Sequence, residues 1–157
     1  MYYLINTKGA PEELYPRENA RKRAEQDMWL AWNMASNRPA YMGYIGLIVK
    51  QVHGGEVADG FFDAQLEKIA GVNAFVEAHL VKKGTTYLTG EHLTLADIAV
   101  FTEITSAEII KKEVKGDHLK PWYDRVAGHE KIAPIVGQIR EMLAGVHAQW
   151  EEKGIKF

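Results

Sequence analysis

The chain contains no cysteine. That excludes a disulfide framework, a thiolate nucleophile and any cysteine-ligated metal, and it suits a reducing cytoplasm. Nor is there an apolar run of the roughly 18 residues needed to cross a bilayer. Met1 is followed by polar, Gly- and Pro-containing sequence instead of the apolar core of a secretory signal. Charge of one sign is also scarce, with 19 basic against 21 acidic residues and a net charge of −2. This gives no electrostatic case for nucleic acid or an anionic membrane. No internal repeat and no low-complexity tract is found.

What remains is ordinary globular material. The 157 residues, 46% hydrophobic and 25% charged, fit one domain able to bury a sizeable core. After a short apolar scrap, Met1 to Ile5, the Gly9-Ala10-Pro11 stretch reads as an irregular linker. A first helix is predicted from about Glu18, with Ala20, Ala24, Met28, Ala31 and Met34/Ala35 recurring at helical spacing. Its Arg21-Lys22-Arg23 run is read as a solvated face. Pro39 disfavours the helical state at Arg38 and removes a donor, so a kink or break is predicted there. Tyr41 to Val52 then resumes the helix, ended by His53-Gly54-Gly55.

The next helix is predicted over 60–82, with Phe62, Leu66, Ile69, Val72, Val76 and Leu80 on one face. Gly71 inside it costs about 1 kcal/mol relative to Ala, which implies close packing against a neighbour. A charged loop, 111–117, leads to a short helix at His118 to Val126 with Pro121 in its opening turn. A long amphipathic helix follows, marked by Ile132, Ile135, Ile139, Met142/Leu143, Val146 and Trp150. No convincing strand appears. The fold class is all-α.

The stretch that organises the rest is Tyr87 to Phe101. Thr94 stands at an N-cap with Asp97 three residues on, a capping box in which each side chain serves the other's backbone N–H. Leu93 and Ile98 supply the accompanying hydrophobic staple. The residues beyond are apolar almost all round, as in a helix buried inside a bundle.

Leu88-Thr-Gly-Glu-His-Leu-Thr-Leu-Ala-Asp-Ile-Ala99 resembles the capping-box segment of the C-terminal helical domain of glutathione transferases. Leu14-Tyr15-Pro16 with Arg23-Ala24-x-x-Asp27-x-Trp29-Leu30-x-Trp32 is similar to the family's lead-in to that domain. The Asn37-Arg38-Pro39-Ala40 step resembles the theta and delta branches, and Trp122-Tyr123-Asp124-Arg125-Val126 a later segment. Glu18-Asn19 departs from the family's Asp-Pro, which implies a poorer first cap. The resemblance implies a bundle of about five to six helices over residues 13–157. Residues 1–12 would be a linker after a thioredoxin-like domain whose glutathione-activating residues and Glu-Ser pair have no counterpart here.

Two readings of the aromatic cluster Trp29, Trp32, Tyr41 and Tyr44 stay open. Three-residue spacing puts Trp29 and Trp32 on one side of a helix, which fits core or interface packing. In theta- and delta-like relatives, however, the matching positions wall the hydrophobic electrophile site. Trp32, Ser36, Tyr41 and Tyr44 are therefore the candidate substrate-binding residues, with Arg38 either fixing the kink or standing near the cleft. No catalytic residue is assigned, and Thr94 and Asp97 are structural. His53, His79, His92, His118, His129 and His147 form no H-x-x-x-H or H-E-x-x-H pair, so no metal site is expected. Gly54-Gly55 and Gly60 lack the setting of a phosphate loop, and Asp59/Asp63 suit a helix dipole.

The resemblance implies one of two functions. The first is the C-terminal part of a glutathione transferase, supplying the electrophile site and dimer interface. It would be inactive alone and would use glutathione as co-substrate only when completed by a thioredoxin-like domain. The second is a non-catalytic assembly module of the kind fused to translation factors and aminoacyl-tRNA synthetases. A homodimer or a thioredoxin-like partner is expected, with a hydrophobic small molecule as ligand and no cofactor held by this chain alone.

Overall fold

Residues 7–155 are described in this computed structural model. The short apolar stretch Met1 to Ile5, with Tyr2, Tyr3 and Leu4, falls outside the described residues. From residue 20 onward the helices are α1 (Ala20–Trp32), a π turn (Asn33–Asn37), α2 (Arg38–Val52), α3 (Phe61–Lys83), α4 (Leu95–Ile104), α5 (Ser106–Ile109), α6 (Leu119–Ala127) and α7 (Ala133–Glu152). Because α1 runs through the π turn into α2, and α5 follows α4 after one residue, they make five rods. Among the described residues the sole β pairing is an isolated bridge between Tyr87 and Gly90. The all-α architecture is as the sequence implies.

Helix α4 lies at the centre. Ala96, Val100 and Ile104 are wholly buried, and α1, the π turn, α2 and α6 surround it. Helix α2 lies along α3, and α7 reaches the bundle mainly through α5. Ile69, Val76 and Leu80 of α3 enter the core, with Phe62, Leu66 and Val72 packed at its edge.

Several sequence expectations are corrected. Helix α1 starts at Ala20, and Asn19 is a working cap: its side chain accepts from the Lys22 N–H at 3.0 Å. The Pro39 step produces no break. Arg38 stays helical at φ −56°, ψ −48°, and the chain passes through a π turn instead. The wider turn carries the preceding carbonyls away from the Pro39 ring, the clash that normally breaks a helix. Gly71 is exposed, and a Cβ there would meet nothing within 4 Å, so close packing is not its reason.

The largest correction concerns α1. Its apolar positions Ala20, Ala24, Met28, Ala31, Met34 and Ala35 all face outward, while Gln26, Trp29, Asn33 and Asn37 are buried. Alanine and methionine give a weak apolar stripe, so one tryptophan's burial outweighs them.

Candidate functional site

The start of α4 is built from four donors converging on one carboxylate. Asp97 Oδ2 accepts the Thr94 backbone N–H at 2.9 Å and the Thr94 hydroxyl at 2.6 Å. Its Oδ1 accepts the Leu88 N–H at 2.8 Å and the Trp122 indole N–H at 2.9 Å. Asp97 is wholly buried. Burial pushes its carboxyl above the usual 3.8, against the pull of these four bonds. The group ties the 84–94 loop, α4 and α6 together. The Leu88 and Trp122 partners are invisible in the sequence; a buried acid beside a buried indole was the available signal.

The substrate-binding candidates separate into two layers. Trp32 is half-buried and stacks on Phe75 of α3, with ring centroids 4.9 Å apart, and Trp29 meets Trp32 edge-on at 5.3 Å. Ser36, one turn on within the π turn, is also half-buried. Tyr41 and Tyr44 stand deeper. Tyr41 is fully buried and donates its hydroxyl to Asn73 Oδ1 at 2.9 Å, and burial raises its phenol to about 12. Tyr44 is buried with its ring against Phe62 at 5.0 Å. Neither phenol lies on an open surface. Trp32 and Ser36 are the reachable members, together with Phe75, which is 48% exposed and was not singled out from the sequence.

Arg38 reaches across to Glu103 of α4 at 2.7 Å, and the carboxylate is only 7% exposed against 49% for the guanidinium. The ion pair thus fixes the end of the π turn on α4. Three histidines are engaged with the backbone, His79 with Leu88 O at 2.7 Å, His53 with Val49 O at 2.8 Å and His147 with Ile109 O at 2.9 Å, while the His118 ring faces the Glu77 carboxylate at 3.2 Å. Among the described residues no three His, Asp or Glu side chains converge as a metal site would need. No helix there is long and apolar enough to cross a membrane.

The depressions lie elsewhere. One of about 400 Å³ runs between the start of α1 and residues 89–94, lined by Glu13, Glu18, Lys22, Gln26 and His92 among others. Its lining includes no Phe, Tyr or Trp.

These features define a class first: an all-α bundle wrapped around one buried, box-capped helix, with an aromatic ledge at its edge. Residues 55–130 match the family described as glutathione S-transferase, C-terminal domain. Solved structures agree on the fold. A human theta-class glutathione transferase, in complex with the glutathione conjugate of 1-menaphthyl sulfate, superposes with a TM-score of 0.81 at 18% identity, over 99% of this chain and 64% of that one. The human glutathione S-transferase T1-1 W234R mutant gives 0.77 at 23%, covering 88% and 60%. A delta-class enzyme from Nilaparvata lugens gives 0.65 at 24%, covering 90% and 67%. This chain therefore spans 60–67% of the length of those proteins.

Proposed function

We propose that this chain is the electrophile-binding half of a glutathione-conjugating protein, with residues 13–157 as its helical domain. The observation that carries the reading is the ledge where Trp32 stacks on Phe75 at 4.9 Å beside Ser36. A half-exposed aromatic pair with one hydroxyl suits an apolar, planar electrophile. Tyr41 and Tyr44 act behind it by fixing α2 on α3. The nucleophilic thiolate of glutathione would be held by a thioredoxin-like domain, in the same polypeptide or as a partner, in the cytoplasm. Residues 1–12 would be the linker to that domain.

The assembly is read as a homodimer. Glu25 pairs with Lys83 at one end of the α1–α3 contact and Trp32 stacks on Phe75 at the other, so the two helices run antiparallel. Along this contact Ala24, Met28 and Ala31 of α1 and Ala78 and Val81 of α3 are all exposed. Exposed apolar side chains of this sort suit an interaction site. The same face would serve a non-catalytic assembly module, the second reading.

Calorimetric titration separates the two. A nitroaryl halide is expected to bind the chain, with Trp32→Ala and Ser36→Val each weakening it at least about tenfold, or 1.4 kcal/mol. Glutathione is expected to bind only when a thioredoxin-like domain is added. Ligand affinity untouched by both substitutions would leave the assembly module as the better reading. Sub-millimolar glutathione binding by the chain alone would overturn the division of labour.

A further inference from the structure

The depression between the start of α1 and residues 89–94 lies toward the opposite end of α1 from the aromatic ledge: Asn19, Lys22 and Gln26 wall it, while Trp32 ends the helix. Its lining holds five carboxylates, those of Glu12, Glu13, Glu18, Glu25 and Glu91, against one lysine, Lys22. Glu12 pairs with Arg17 at 2.7 Å, Glu25 pairs with Lys83, and Glu91 accepts the Thr86 hydroxyl. Glu13 and Glu18 carry no ion pair among the described residues. With Arg17 and Lys83 counted beside Lys22, five carboxylates face three cations, a surplus of two negative charges.

Behind the carboxylates stands an amide. Gln26 is only 2% exposed and lines the same depression, and its Oε1 has no hydrogen-bond partner. A buried acceptor without a donor is costly, and most find one. The charge surplus and the unpaired oxygen therefore call for the same chemistry, a cation that brings N–H donors. A metal ion does not fit. Among the described residues no three acidic or imidazole side chains converge as a metal site would need. The polar groups are strung out instead: residues 19–26 alone cover about 10 Å of helix axis, and Glu13 and Glu91 come from the lead-in and the 89–94 loop. A volume of about 400 Å³ is that of a small-molecule site.

We propose that this depression binds a linear aliphatic polyamine, with one ammonium group donating to Gln26 Oε1 and the others lying against Glu13 and Glu18. An ammonium supplies donor and charge at once, and charge-assisted bonds of this kind are the stronger class. Alkyl spacers hold successive charges apart, as the acids are held apart here. Glu12 and Glu25, already paired, shape the wall. The site lies apart from the ledge and depends on neither the electrophile nor the dimer reading.

Titration calorimetry of spermidine into the full chain tests this without glutathione or any electrophile. Saturable binding with a Kd of about 1 mM or tighter is expected, undiminished by Mg²⁺ at matched ionic strength. The double substitution Glu13→Gln with Glu18→Gln, and separately Gln26→Leu, should each weaken it at least about tenfold. Gln26→Met serves in place of the leucine variant should that one not fold. Glu141→Gln, an exposed acid on α7, should leave affinity unchanged. The proposal is overturned by absence of saturation at millimolar spermidine or by displacement with Mg²⁺ at matched ionic strength. It is equally overturned if either the acid pair or the Gln26 variants bind as wild type, or if Glu141→Gln weakens binding as much as they do.

Discussion

The Trp122 indole N–H donates to Asp97 Oδ1 across 2.9 Å, joining α6 to the first turn of α4. Both side chains are essentially without solvent exposure. The bond therefore replaces water for a buried carboxylate, and losing it leaves an acceptor short of a donor. Trp122→Phe removes that donor together with part of the buried ring volume. It should cost about 1–3 kcal/mol, read as a fall in urea midpoint.

Asp97→Asn should cost at least as much. Both carboxylate oxygens face N–H donors, so an amide must aim its own N–H₂ at one pair of them. A midpoint for Asp97→Asn equal to wild type would show that the carboxylate's second oxygen is dispensable. Burial raises the Asp97 carboxyl above 3.8, so its effect on stability is most favourable at acid pH and declines as pH rises.

Glu77 of α3 caps α6 from outside. Its carboxylate accepts the Leu119 N–H at 2.5 Å and the His118 N–H at 3.1 Å, with the His118 ring nitrogen 3.2 Å away. Desolvation opposes ionisation, but these bonds outweigh it and hold the carboxyl below its ordinary 4.5. A lowered folded value means the contribution is complete above the unfolded value and disappears as pH falls through the folded one. Glu77→Gln should therefore lose about 0.5–2 kcal/mol near pH 7, the range of a lost helix cap. The difference from wild type should shrink toward zero on acidification below 4.5. A gap that persists undiminished at low pH would contradict the capping role.

Two glycines should respond to alanine in opposite ways. Gly116 sits at φ +138°, and a Cβ there would meet Glu77 Oε2 at 2.5 Å and Leu119 Cβ at 3.1 Å. Gly116→Ala should destabilise by roughly 1–3 kcal/mol through backbone strain and disturbance of the Glu77 cap. Gly71 is helical, exposed and unobstructed, so Gly71→Ala should stabilise by about 0.5–1 kcal/mol. Thermal unfolding of the pair checks both signs.

If the α1–α3 face joins two copies, a charge at its centre should separate them. Met28 is 52% exposed, so Met28→Lys should leave the melting temperature of the monomer nearly unchanged. In sedimentation equilibrium, dimer dissociation should become easier by about a hundredfold or more, the effect of burying an unpaired charge. An unaltered association constant would move the interface elsewhere.

The sequence by itself determined the helical class, the buried character of α4 and the Thr94–Asp97 box, because each depends on residues three or four apart on one helix. It also carried the Trp122 segment and the apolar face of α3. Tertiary structure decided what lies beyond that range. Only folding brings Trp122 and Leu88 to Asp97, residues 25 and 9 positions away, and only packing turns α1 with its amides inward. An alanine-rich stripe carries too little transfer free energy to choose its own face, so the neighbouring helices choose it. The π turn follows from the same contest: Pro39 calls for a break, while Asn37, Arg38 and Ala40 are held on the bundle by their contacts, and one wider turn satisfies both.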